Sequence, residues 1–204
     1  MEAHQPRTHQ PAIAAVLAGG AGRRLGGAKA ATLLGGKPLI SYPLEAAQEA
    51  GLERVVVAKH STPLPPLTVP LIEEPDLPLH PLCGVLRGLS YAAEMNPPAR
   101  GLLLLACDMP FLTPELLDWL ARLEGAVMPA IGGRPQPLLA RCEPGHAPSL
   151  QKSLESESSL TAAMMALDPL VVDGEELSRF GIPEQLCFNV NDLDDLQAAE
   201  EWLS

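Results

Sequence analysis

Seven apolar residues, Ala12 to Ala18, run directly into Gly19-Gly20-Ala21-Gly22-Arg23-Arg24-Leu25-Gly26-Gly27-Ala28-Lys29. A short apolar run closed by glycine reads as a buried strand. The loop after it carries five glycines and three cations, Arg23, Arg24 and Lys29, and no acid. Glycine takes positive φ and lets a ligand reach the backbone. Successive free N–H groups then form an anion-binding concavity, and the cations neutralise phosphate charge. In a chain of formal net charge −11, so basic a loop is a local exception. It reads as a triphosphate cradle. A glycine-rich surface turn is the bland alternative, and the cations and the preceding strand weigh against it.

Two better-known glycine loops do not fit. The Walker pattern requires Gly-Lys followed by Ser or Thr, whereas Lys29 lies between Ala28 and Ala30. A dinucleotide fingerprint starting at Gly20 requires glycine at position 25, which is Leu25.

At 204 residues the chain suits one domain with a full core. That core must come from Leu, Val, Ala and Ile, because aromatics are only 3% of residues. No apolar run reaches the length of a membrane span. Residues 1–11 lack the apolar centre of a signal peptide and read as a flexible tail before a domain at 12–204, with the cytoplasm as the expected compartment. The acidic balance argues against nonspecific nucleic-acid binding. Cys83, Cys107, Cys142 and Cys187 are too scattered for a zinc or disulfide framework and read as buried thiols.

Further along, Leu33-Leu34 leads to a turn at Gly35-Gly36-Lys37-Pro38, and a helix is expected from Leu39 to Ala50, closed by Gly51. Val55 to Val57 reads as a second buried strand and Thr68 to Glu73 as a third, with proline-rich loops around the latter. A helix follows from Pro81 despite Gly84 and Gly88. Arg100 to Cys107 is the clearest central strand, and Thr113-Pro114 starts another helix. Gly125 to Ile131 and Pro137 to Arg141 read as a two-strand excursion around Gly132-Gly133. Ala147 to Leu167 is expected to be helical, and Asp192 to Leu203 a closing amphipathic helix. This alternation predicts an α/β fold, a single-domain, Rossmann-like, doubly wound and mainly parallel sheet.

Ligands of such a sheet collect at the carboxyl ends of its strands. Cys107-Asp108-Met109-Pro110-Phe111 lies at one of them. Asp108 there either holds Mg²⁺, which favours hard oxygen ligands and substrate phosphates, or caps the next turn. Phe188-Asn189-Val190-Asn191 places two asparagines at i and i+2, on one face of an extended segment. One amide oxygen completes a metal shell and the other orients phosphate, or the pair forms a turn and an N-cap. Both readings stand at this point.

Leu17-Ala18-Gly19-Gly20, Arg24-Leu25-Gly26 and Lys29 resemble the opening signature of the molybdenum cofactor guanylyltransferases, Leu-Ala-Gly-Gly-x-Ser-x-Arg-Met-Gly-x-Asp-Lys. Gly22, Leu25 and Ala28 stand where that pattern has Ser, Met and Asp. The Cys107–Leu112 segment resembles the family's metal-binding segment, and Phe188 to Leu193 its closing Phe-x-Asn-Val-Asn motif. Pro81-Leu82-Cys83-Gly84 resembles a Gly-Pro-Leu-x-Gly base-binding rim, with His80 in place of the first glycine.

The resemblance implies a nucleotide-diphospho-sugar transferase type of fold. It also implies transfer of GMP from GTP to a molybdopterin-type cofactor with release of pyrophosphate, Mg²⁺ as cofactor, and cofactor-handling proteins as partners. The residues it implies are Arg24, Lys29 and Asp108 for catalysis, and Leu17, Ala18, Gly19, Gly20, Lys29, Glu74 and Asp108 for nucleotide. It further implies Asp108 and Asn191 for the metal, and Arg134, Gln136 and Asn189 for the acceptor. Glu74, from the residues alone, is equally a solvated loop carboxylate. Transfer of cytidylyl or to a sugar phosphate is the near alternative. A non-catalytic nucleotide or cofactor binder is the distant one.

Overall fold

The computed structural model describes residues 12–20 and 23–203; the expected tail at 1–11, Gly22 and the side chain of Arg23 lie outside the described residues. The chain opens with β1 (Ile13–Leu17), the hairpin β2 (Leu33–Leu34) and β3 (Lys37–Pro38), α1 (Ser41–Glu49), β4 (Glu53–Ala58) and β5 (Leu71–Glu73). There follow α2 (Pro81–Glu94), β6 (Leu102–Ala106), α3 (Pro114–Arg122), β7 (Val127–Ile131), β8 (Arg134–Pro135) and β9 (Leu139–Cys142). The chain ends with α4 (Ala147–Glu155), α5 (Leu160–Met165), β10 (Leu170–Val172), two short helices α6 (Gly174–Leu177) and α7 (Pro183–Leu186), and α8 (Leu193–Leu203).

The sheet order is β10-β7-β9-β6-β1-β4-β5, with β8 paired to β7. β1 is parallel to both β4 and β6, and β4 to β5. β9 runs antiparallel between β6 and β7, so the sheet is mainly parallel, as expected.

The central strands are buried on both faces, and their alternation sends side chains to two cores. Ala14, Val16, Leu103 and Leu105 pack with Ala47 of α1 and Leu116 of α3. Ile13, Ala15, Leu102 and Leu104 face the other way, toward Val85 and Leu89 of α2 and Met164 of α5. Gly88, awkward in a helix by propensity, has a packing cause: a Cβ there would stand 2.9 Å from Leu102 Cδ2 and 3.5 Å from Ala15 Cβ. Because Leu104 is fully buried in this second core, Leu104→Ala should cost about 2–5 kcal/mol through lost contact and a residual cavity. Urea unfolding measures it as a lower midpoint at unchanged slope; an unshifted midpoint would contradict the packing.

Several boundaries differ from the sequence reading. The helix expected over Ala147 to Leu167 is two helices. Glu157 takes φ 54° and ends the first helical stretch, Ser158 N–H donates to Ser153 O at 2.9 Å, and Ser159 caps α5 by accepting from Ala162 N–H. The third strand shrinks to three residues, beginning only after Pro70, whose carbonyl accepts from Val56 N–H at 2.9 Å. The expected excursion is split. Gly132 and Gly133, at φ 54° and 74°, turn β7 into the short β8, and the chain then inserts β9 into the main sheet. The sequence reading did not contain β10, α6 or α7.

Candidate nucleotide site

A cleft of about 500 Å³ opens at the carboxyl ends of β1, β4 and β6. Three chain segments converge in it. The first is Gly19-Gly20, where β1 ends. Leu17 lines the cleft with them, while Ala18 lies beneath: it is 2% exposed and its N–H donates to Val57 O at 2.9 Å. Gly26 and Gly27 take φ 75° and 85° and bring the chain round to Lys29, which starts a short 3₁₀ turn. The second segment is Asp108, two residues past β6. The third is Asn189 to Asn191, just before α8.

Lys29 ties the second and third segments together. Its ammonium forms an ion pair with Asp108 Oδ2 and donates to Asn191 Oδ1 at 3.0 Å. Both side chains of the ion pair are largely withdrawn from solvent, at 15% and 8% exposure. Charges so enclosed interact far more strongly than surface pairs. The segment carrying the asparagines is not a strand. It is docked by one backbone bond, Val190 N–H to Asp108 O at 2.9 Å, and by Phe188 packing at 4.8 Å between ring centroids against Trp202 of α8. The N-cap of α8 falls to Asp192, whose Oδ1 accepts from Asp195 N–H at 3.1 Å. The Asn191 side-chain oxygen is thereby left to face Lys29.

Glu74 enters from the far wall, one residue past β5. A Cβ on Gly84 would stand 2.8 Å from its Oε2, and a Cβ on Gly19 would overlap Oε1. Glycine at both positions leaves this carboxylate room where it lies. Burial raises its pKa above the ordinary carboxyl value, and the nearby Lys59 ammonium opposes that rise. His80 also lines the cleft while its Nδ1 caps α2 by accepting from Leu82 N–H at 3.1 Å. Cys107 borders the cleft as well, but burial pushes its thiol up to about 12, so it offers no thiolate nucleophile.

The remaining candidates lie apart. Arg24 is exposed on the 3₁₀ turn Arg23–Leu25 and does not line the cleft. Arg134 is exposed on β8, and Gln136 Nε2 donates to Arg134 O at 3.3 Å. Neither reaches the cleft wall, although Leu138 of the same segment does. Lys59 lines the cleft and was overlooked in the sequence, although the rule that singled out Asp108 applies to it: it follows the apolar strand β4.

Among the described residues no group of three or more His, Cys, Asp and Glu side chains converges to hold a metal. The oxygen pair Asp108 Oδ2 and Asn191 Oδ1 does converge on one positive charge, that of Lys29. Two hard oxygens suit Mg²⁺, which takes few protein ligands and completes its shell with phosphate and water.

Residues 14–170 match the MobA-like NTP transferase domain. The chain belongs to this family. It is therefore a nucleotidyltransferase. Its relatives include the molybdenum cofactor guanylyltransferase of Cereibacter sphaeroides, 30% identical over 92% of this chain and 95% of that one. That of Sinorhizobium fredii is 32% identical over 94% and 91%. Among solved structures, molybdopterin-guanine dinucleotide biosynthesis protein A from Archaeoglobus fulgidus superposes with a TM-score of 0.76 at 26% identity, covering 94% of this chain and 98% of that one. The fold is that of nucleotide-diphospho-sugar transferases. Among the described residues no helix of this MobA-like chain is long and apolar enough to cross a membrane.

Proposed function

We propose that this protein transfers GMP from GTP to the terminal phosphate of a molybdopterin-type cofactor and releases pyrophosphate. The observation that carries the proposal is the Lys29–Asp108–Asn191 cluster lining one cleft with Gly19-Gly20, in a chain related to guanylyltransferases along most of its length. An oxygen of the acceptor phosphate attacks the α-phosphorus of GTP. The bond from that phosphorus to the bridging oxygen breaks, and its electron pair leaves with pyrophosphate. The attacking phosphate is already ionised, so no protein base is needed.

Two anions must meet, and the site's task is to align them and balance their charge. Gly19 and Gly20 bring backbone close to the triphosphate. Lys29 exchanges its carboxylate partner for phosphate oxygens, and Arg24 adds charge from the loop. Asp108 and Asn191 would hold Mg²⁺, which supplies Lewis-acid stabilisation of phosphate oxygens when bound. Glu74 lies at the base end of the cleft. Asn189 would meet the acceptor from the cleft wall, and Arg134 and Gln136 from outside that wall, where cofactor-handling proteins would deliver molybdopterin.

Calorimetric titration with GTP, CTP, UTP and ATP, each with and without Mg²⁺, tests this reading. Tight, Mg²⁺-dependent binding of GTP above the others is expected, followed by pyrophosphate release when molybdopterin is added. Preference for CTP or UTP would move the protein to a sister activity. GTP binding with no pyrophosphate release would make it a binder rather than a transferase.

A further inference from the structure

Lys59 stands in register with the carboxylate at the base end of the cleft. Ala58 of β4 pairs with Glu73 of β5, and Glu74 N–H donates to Ala58 O at 2.9 Å, so Lys59 and Glu74 leave two adjacent parallel strands at the same level. Both line the cleft. Their charges are close enough for Lys59 to hold down the rise in the Glu74 pKa. An ammonium has three donors. One of them goes to Asp76 O at 2.7 Å; the others are available to a ligand beside Glu74.

We propose that Lys59 is a specificity-determining residue that donates to a carbonyl of the nucleotide base held against Glu74. The inference rests on the guanylyl reading of this cleft. A carboxylate beside an ammonium complements an edge with adjacent N–H groups followed by a carbonyl. Guanine offers that edge: the N2 amine and N1–H face the carboxylate, and O6 faces the ammonium. Adenine has no carbonyl there. Cytosine turns ring N3 and O2, both acceptors, toward the carboxylate. Uracil offers a single N–H between two carbonyls. Lys59 also fixes the rim through Asp76, so base contact and rim position are coupled in one side chain.

The test is calorimetry on the full chain and on Lys59→Met and Lys59→Arg, with GTP, ATP and the triphosphate of 2-aminopurine riboside, which lacks O6 and with it the N1–H, so each ligand is compared only with itself between parent and variant. Lys59→Met should weaken GTP by about tenfold or more, the scale of a lost charged hydrogen bond. It should leave ATP and the 2-aminopurine nucleotide unchanged, while Lys59→Arg retains most of the GTP affinity. Equal losses for all three ligands would overturn the proposal, because Lys59 would then act on the phosphates or only on the rim. No loss for GTP would overturn it as well. If Lys59→Met melts early, Lys59→Leu, which also has no donor, carries the same comparison. A wild type that prefers another nucleotide to GTP would sink the guanylyl reading itself, and this inference with it, before any variant is compared.

Discussion

Asp108→Asn should leave the fold intact and lower the rate of nucleotidyl transfer by about 10²–10³-fold, the range for losing one preorganised electrostatic group at a reacting centre. The side chain is nearly isosteric, and Asp108 O still accepts from Val190 N–H, so the docking of the C-terminal segment survives. What disappears is the charge. Lys29 loses its anionic partner, and the Asp108–Asn191 oxygen pair loses the member with full affinity for a hard cation. Calorimetry with GTP should show binding that no longer improves when Mg²⁺ is added. An Asp108→Asn protein that transfers GMP at the parent's rate would remove this carboxylate from the mechanism.

Lys29→Met should produce two effects of opposite sign. Triphosphate binding should weaken by about 10–100-fold, since one charged hydrogen-bond donor is lost. Divalent-ion binding to the nucleotide-free protein should tighten, because the ammonium that now sits between Asp108 Oδ2 and Asn191 Oδ1 no longer competes for those oxygens. The substitution also leaves Asp108 enclosed without its partner, at a cost in stability of about 3–5 kcal/mol for a buried pair broken on one side. Added Mg²⁺ should restore part of that loss by binding the folded state. Thermal melts with and without Mg²⁺ decide the point. If the wild type gains as much from the ion as Lys29→Met does, lysine and metal do not contend for one place.

The parallel core was legible because the strands that build it are continuous apolar runs, β1, β4 and β6, set off by glycine or charge. Asp108 was legible for a related reason: a carboxylate just beyond such a run marks the functional end of the sheet. Lys59 satisfies the same rule and was passed over, since a lone lysine among Ala58 and His60 carries no motif. The split of the 147–167 helix was announced only by the serines at 156, 158 and 159, whose hydroxyls compete for backbone groups as well in a helix as at its end. Strand β10 is the run Leu170-Val171-Val172, only three residues long, and so short an apolar run does not tell strand from loop. The role of Asn191 was undecidable locally. It turns on Asp192 taking the cap and on Lys29 lying across the cleft, a contact between positions far apart in the chain.

That last contact spans 162 residues, and it joins the loop after β1 to the turn before α8. Closing so large a loop gains its reward only after the intervening sheet has formed. During synthesis the segment from Phe188 to Asn191 emerges after every strand of the sheet, and α8, which seats it through Trp202, follows it. A nascent chain can therefore complete its Gly19–Gly20 turn and its central strands while the cluster is unfinished. The sheet is thus assembled ahead of the cluster, so chains cut before Phe188 should keep the central strands yet lack the asparagine that meets Lys29.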